Sequence, residues 1–133
     1  MSPELLDPER FGFKDSQPTK ESDCYALGMV VYEVLSSQAP FTQLKDYMVT
    51  LKVTNGERPA RPGGVEGTWF TDDLWETLKL CWATGPEIRP NIEAVLERLG
   101  LVSRAWKPPP PPQADEDVES EDDWDLTAIR DSL

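Results

Sequence analysis

Histidine is absent from all 133 residues of the sequence. The imidazole is the side chain whose ordinary pKa lies closest to neutral pH, so the commonest general base of enzymes is missing from these residues. Ser-His and Cys-His nucleophile pairs and histidine metal ligands are excluded for the same reason. The sequence contributes no catalytic residue of these kinds.

Cysteine is scarce: Cys24 and Cys81 are the only two, and each lies in an apolar helical pattern. A free cysteine packs as a small hydrophobic residue, so we expect two buried and reduced thiols. Two isolated cysteines do not have the paired spacing of a structural zinc site. We therefore expect no metal site.

Long apolar runs are missing too. The longest, from Cys24 to Tyr32, is far shorter than the roughly 20 residues that span a bilayer. The first four residues, Met-Ser-Pro-Glu, have neither the basic nor the apolar region of a signal peptide. We expect no membrane association and a cytoplasmic or nuclear location.

Positive charge is limited, with 13 Lys and Arg against 25 Asp and Glu and a net charge of −12. No basic stripe is present, so binding to nucleic-acid phosphates is not expected. The acids are concentrated in residues 113 to 133, which we expect to form a disordered tail because they have too few apolar groups to offset the entropy of ordering. Pro108 to Pro112, within a linker of residues 107 to 112, are expected to be extended polyproline II.

Residues 1 to 106 are expected to form an all-α domain of about four helices, since no run alternates as a strand does. The first helix is expected to be capped by Ser22 and to be apolar on almost every face, which predicts burial all round. A weaker helix covers residues 44 to 53. Thr71 and Asn91 are expected to cap two amphipathic helices, the second of which should stop at Gly100.

The residues at the edges of these helices resemble a known family. Ser2-Pro3-Glu4 is similar to the Ala-Pro-Glu motif that ends the activation segment of protein kinases. The run from Ser22 to Glu33 resembles their central helix. Cys81-Trp82, Pro86 and Arg89-Pro90 have the order and spacing of the tyrosine kinase and tyrosine-kinase-like groups, although Gly85 stands where aspartate is common. The resemblance covers residues 2 to 100.

The resemblance implies a truncated kinase C-terminal lobe and structural roles for several residues. Glu4 should pair with Arg89, the alternative being two unpaired surface charges. In kinases the aspartate equivalent to Asp23 braces the catalytic loop; without that loop, Asp23 would be only an acid in a capping turn. The further structural residues that the motifs suggest are Gly28, Trp82 and Pro90.

The resemblance also indicates what is missing. Kinases position ATP and magnesium with a glycine-rich loop, a strand lysine, a His-Arg-Asp loop and an Asp-Phe-Gly aspartate. All of these precede the Ala-Pro-Glu motif, and none is found here. We therefore expect a kinase fragment with no catalytic, cofactor-binding or metal-binding residue, inactive by itself. ATP and magnesium, with phosphorylation of protein substrates, are expected only in a longer kinase.

The alternative function is a non-catalytic interaction module. The polyproline run Pro108 to Pro112, next to Lys107, could bind SH3- or WW-type domains, or it could be a stiff linker. The acidic tail around Trp124 and Leu126 could fold on a protein partner, or it could only be solvated. Ser120, flanked by acids, is a candidate phosphorylation site. The helical surface itself could act as a scaffold.

Overall fold

A computed structural model describes residues 1–108 and 110–111, and this part of the chain is helical without any strand. The predicted all-α fold is therefore confirmed. Besides the four predicted helices, which are longer than two turns, the structure has two single-turn helices and two 3-10 turns. The elements in chain order are α1 (Pro3–Leu6), a 3-10 turn (Glu9–Phe11), α2 (Lys20–Ser36), α3 (Asp46–Thr54), α4 (Gly64–Gly67), α5 (Asp72–Cys81), a 3-10 turn (Pro86–Ile88) and α6 (Ile92–Ala105).

Helix α2 begins earlier than the sequence suggested. Its N-cap is Thr19, whose hydroxyl accepts a hydrogen bond from the Ser22 backbone N–H at 3.1 Å. The Ser22 hydroxyl in turn accepts from the Thr19 backbone N–H at 2.8 Å. This is a capping box in which serine takes the third helical position, a place more often filled by Glu or Gln. The prediction that Ser22 caps the helix was wrong because Ser22 is the partner of the cap.

The two faces of α2 have different environments. Cys24, Tyr25 and Gly28 are buried, and this side of α2 packs against α5. Val30 and Val34 are 54% and 70% exposed. The helices among the described residues cover only one side of α2, so the burial that its apolar pattern predicts is found on that side alone.

The core lies between α2, α5, α6 and the loop that precedes α5, and its centre is aromatic. The rings of Tyr32 and Trp82 are 5.9 Å apart at 65°, and those of Trp75 and Trp82 are 5.7 Å apart at 83°. Such edge-to-face contacts add about 0.5–1.5 kcal/mol per pair beyond area burial. Tyr32 and Trp75 are partly buried. The fully buried members are Cys24, Tyr25, Val53, Phe70, Leu74, Leu78, Cys81, Trp82 and Val95.

The predicted caps of α5 and α6 are confirmed. The Thr71 hydroxyl accepts from the Leu74 N–H at 3.2 Å, and Asn91 Oδ1 accepts from the Ala94 N–H at 2.8 Å. The predicted stop at Gly100 was wrong, since α6 continues to Ala105. Gly100 does not have the positive φ of a helix-ending glycine, whereas Gly56, after α3, has φ 90°.

The last helix, α6, ends at Ala105, and Trp106 is its C-cap. Lys107, Pro108, Pro110 and Pro111 are exposed. The acidic tail of residues 113 to 133, with the candidate phosphorylation site Ser120, lies outside the described residues. Among the residues that the structure describes, no helix is long and apolar enough to cross a membrane.

Gly28 marks the closest approach of α2 to α5. A Cβ added there would lie 2.6 Å from Trp82 Nε1 and 3.0 Å from Cys81 Cβ. Both distances are shorter than van der Waals contact, and Trp82 is only 2% exposed. The indole therefore has little room to move away from a larger residue at position 28.

We expect Gly28→Ala to lower the free energy of unfolding by about 1–3 kcal/mol, because the added methyl group overpacks the contact between α2 and α5. Urea denaturation followed by tryptophan fluorescence measures this change. Gly63→Ala is the matched control, since a Cβ at Gly63 meets nothing within 4 Å and its φ of −105° suits alanine. Equal stability of the two variants would contradict the assigned contact.

Candidate functional site

The candidate site is a buried ion pair between α1 and the loop that precedes α6. Arg89 Nη1 donates to Glu4 Oε1 at 2.7 Å, and Nη2 donates to Glu4 Oε2 at 2.9 Å. The side chains are 0% and 5% exposed, respectively. Two parallel hydrogen bonds of this kind match the planar guanidinium to the carboxylate and fix both groups in orientation.

The remaining donors of Arg89 bind backbone carbonyl groups. Nε donates to the Ala83 carbonyl at 2.9 Å, and Nη1 donates also to the Glu21 carbonyl at 3.0 Å. One side chain thus joins α1, the first turn of α2 and the loop after α5. Because a buried charge must keep its partners, these three segments are held in one arrangement.

The charge state of Glu4 depends on the same bonds. Burial raises the pKa of the Glu4 carboxyl, but hydrogen bonds from Arg89, with smaller backbone and electrostatic contributions, outweigh it. The net result is a pKa below the ordinary value of glutamate. Glu4 is therefore an ionised partner at neutral pH, unsuited to act as a proton donor.

Tyr25 lies between two guanidinium groups. Arg89 is 5.1 Å from the centre of its ring, and Arg58 is 5.2 Å from it. Burial raises the pKa of Tyr25 to about 12, so the phenol stays protonated. Its hydroxyl has no hydrogen-bond partner among the described residues. Tyr25 is thus a packed ring that accepts two cation–π contacts and is not a proton carrier.

Arg58 extends this centre to the α3 side of the domain. Its Nε donates to the Trp82 carbonyl at 2.8 Å and its Nη1 to the Val53 carbonyl at 3.1 Å. Its Nη2 donates to Thr84 Oγ1 at 3.2 Å. The sequence reasoning missed both Arg58 and Tyr25. Arg58 lies in a Pro- and Gly-rich loop, and the sequence around it does not predict its hydrogen bonds to Trp82 and Thr84, some 25 residues away.

The other residues singled out from the sequence lie outside this centre. Trp82 and Gly28 meet each other at the α2–α5 contact, and Pro90 precedes the Asn91 cap of α6. Asp23 is exposed in the first turn of α2, and its carboxylate makes no side-chain hydrogen bond within the described residues. Its position is that of an acid at the positive end of the helix dipole.

The two thiols lie in the interface between α2 and α5, and both are buried and free. Burial raises the pKa of the Cys81 thiol to about 12, with the nearby Cys24 adding to the shift, and burial likewise raises the pKa of Cys24. Thiols in this state are poor nucleophiles. Residues 1–108 and 110–111 contain no group of three or more His, Cys, Asp or Glu side chains that could hold a metal ion.

The described residues form a helical domain built on a buried carboxylate–guanidinium pair. Its all-helical architecture is consistent with the C-terminal lobe of a kinase. The family profile for protein tyrosine and serine/threonine kinases matches residues 1–99. The chain belongs to the protein kinase family.

Curated relatives include both tyrosine and serine/threonine kinases. The chain is 27% identical over 105 residues to a probable LIM domain-containing serine/threonine-protein kinase of Dictyostelium discoideum. It is 29% identical over 103 residues to the tyrosine-protein kinase Btk of Drosophila melanogaster, and 31% identical over 98 residues to the serine/threonine-protein kinase Nek9 of Xenopus laevis. These alignments cover 79%, 77% and 74% of this chain but only 14%, 12% and 9% of the relatives.

We expect Arg89→Ala to destabilise the domain by about 3–5 kcal/mol, because it leaves Glu4 buried and unpaired. Urea denaturation measures the loss. Arg10→Ala is the matched control: Arg10 is exposed, and its contact with Asn55 at 3.2 Å is at the surface, so we expect a change within about 0.5 kcal/mol. A loss at Arg89 no larger than at Arg10 would refute the importance of the pair.

The pH dependence of stability gives a second readout of the same pair. Since the pKa of Glu4 is lower in the folded than in the unfolded chain, its contribution is present above the unfolded pKa of about 4.3. It is lost as pH falls through the lower folded value. Glu4→Gln should therefore be less stable than the parent at neutral pH and lose less stability on acidification. Parallel pH profiles for the two proteins would argue against an ionised Glu4.

Proposed function

We propose that residues 1 to 106 serve as the helical scaffold of a protein kinase, supporting ATP-dependent phosphorylation of protein substrates. The observation that carries the proposal is the bidentate pair of Glu4 and Arg89, both almost fully buried. It fixes the Ser2-Pro3-Glu4 motif against the loop after α5. In this role the domain holds the end of the activation segment, where kinases receive their substrates.

The chemical step is proposed to depend on polypeptide other than these residues. The 133 residues contain no glycine-rich loop, strand lysine, His-Arg-Asp loop or Asp-Phe-Gly motif, which together position ATP and magnesium in kinases. Arg10-Phe11-Gly12 is only superficially similar to the last of these. Arginine occupies the place of the metal-binding aspartate, and Arg10 donates instead to Asn55 at 3.2 Å.

We expect the 133-residue chain to transfer no phosphate from labelled ATP, with magnesium present, to itself or to a serine, threonine and tyrosine peptide library. The reason is the lack of groups that would position the triphosphate. The matched control is Arg89→Ala, in which any trace activity of a contaminant would stay the same. Incorporation that rises with the amount of chain and disappears in Arg89→Ala would disprove the proposed division of labour.

A second candidate function is protein binding through the polyproline segment. Lys107, Pro108, Pro110 and Pro111 are exposed beyond the last helix, where a partner could reach them. Prolines preset in the polyproline II conformation, beside a basic residue, have the features that aromatic grooves of SH3- and WW-type domains recognise. Residues 113 to 133 would add an acidic surface for partners of opposite charge.

We expect an SH3- or WW-type domain to bind the chain with micromolar affinity, and the double variant Pro110→Ala, Pro111→Ala to weaken binding about tenfold or more through loss of the preset conformation. Calorimetric titration of a panel of such domains measures both values. Lys52→Ala, on α3, is a control that should leave binding unchanged. Equal affinity of the parent chain, the double proline variant and Lys52→Ala for these domains would exclude the polyproline segment as the binding site.

A further inference from the structure

An apolar groove runs between α2 and α6, away from the Arg89 centre. It has a volume of about 240 Å³. The α2 wall is formed by Val31 and Leu35, and the α6 wall by Leu99 and Val102, with Ser103 at the edge. Contiguous apolar surface of this kind, bordered by polar residues, is a feature of surfaces that bind other polypeptides.

Two tryptophans form one end of this groove. The rings of Trp69 and Trp106 are stacked, with centroids 4.7 Å apart and planes at 12°. Trp69 is nevertheless 42% exposed. Indole rings offer large contact area at a low cost in conformational entropy and are enriched where proteins bind other chains. The pair therefore provides a preformed surface for an apolar side chain.

The location of Trp106 indicates which chain can reach the groove. Trp106 is the C-cap of α6, so residues 107 to 133 continue from the edge of the groove itself. Seventeen residues, 107 to 123, separate it from Trp124. Extended at about 3.3 Å per residue, they are more than long enough to turn back. Tethering also raises the effective concentration of such a segment to about the millimolar range.

The chemistry of the tail is complementary to the groove and its surroundings. Apart from Val118, its large apolar residues occur at its end: Trp124, followed by Leu126, Ile129 and Leu133 at the i, i+3, i+7 spacing of one helical face. Residues 113 to 133 have nine acids and one base, whereas residues 98 to 107 have three bases and no acid. Those bases, Arg98, Arg104 and Lys107, form no salt bridge within the described part of the chain.

We propose that residues 124 to 133 bind in cis to the groove of Val31, Leu99 and Trp106. Leu126, Ile129 and Leu133 are the apolar contacts. The acids of residues 115 to 123 lie along the basic end of α6. Attraction between these opposite charges favours this chain direction of the bound tail over the reverse direction. The tail is then a ligand of its own domain, and any partner of the groove must displace it.

The test uses the full chain with a photoreactive benzoylphenylalanine at position 126, and cross-linked peptides are identified by mass spectrometry. We expect intramolecular cross-links to peptides that contain Trp69 or residues 99 to 106. The same probe at position 114, in the linker-proximal part of the tail, should give few cross-links to these peptides. Cross-links from position 126 scattered over the whole domain would overturn the proposal, and so would cross-links between two copies.

Two exposed positions on α6 provide matched variants. Ser103→Glu places a negative charge at the groove, so we expect it to reduce the cross-links from position 126 about fivefold or more. Leu101→Glu adds the same charge to α6 outside the groove, at a residue that is 55% exposed, and should leave them unchanged. Near-ultraviolet circular dichroism of the tryptophans checks that both variants are folded. An equal reduction in both folded variants would mean that the tail follows the charge of α6 and does not occupy the groove.

Discussion

The structure depends on the buried guanidinium of Arg89. It binds the Glu4 carboxylate and two backbone carbonyl groups, and it lies against the ring of Tyr25. Charge in a low-dielectric interior is tolerated only with its full set of partners. Helix α1 therefore cannot separate from the loop that contains Arg89 without leaving an unpaired charge, and this interaction holds α1, a single turn, in place.

Helix α2 connects this polar centre to the aromatic core. Near the start of α2, the ring of Tyr25 contacts the guanidinium groups of Arg58 and Arg89. In its middle, Gly28 leaves room for the indole of Trp82. One turn further on, Tyr32 contacts the aromatic cluster. The opposite face of α2 leaves Val30 and Val34 largely exposed. One side of α2 is thus packed, and the other side is apolar and open among the described residues. This agrees with a chain that spans 14% or less of the three kinases described above.

The titratable groups of the site are held in fixed protonation states. Its carboxylate is ionised and fully paired, its phenol is protonated, and its thiols have pKa values raised by burial. Each group is stabilised in the form that cannot exchange a proton near neutral pH.

The sequence by itself determined the parts of the fold that are local. Thr71 and Asn91 cap their helices through bonds to residues three positions away, and a short pattern contains all of that information. The Thr19 cap of α2 and the continuation past Gly100 were missed because neighbouring residues offered an equally good local alternative. Glu4 and Arg89 were paired only through the family resemblance, since 85 positions separate them. Their burial, the place of Tyr25 between two arginines and the stacking of Trp69 on Trp106 were decided by tertiary structure, because contacts between distant residues exist only when the helices have packed.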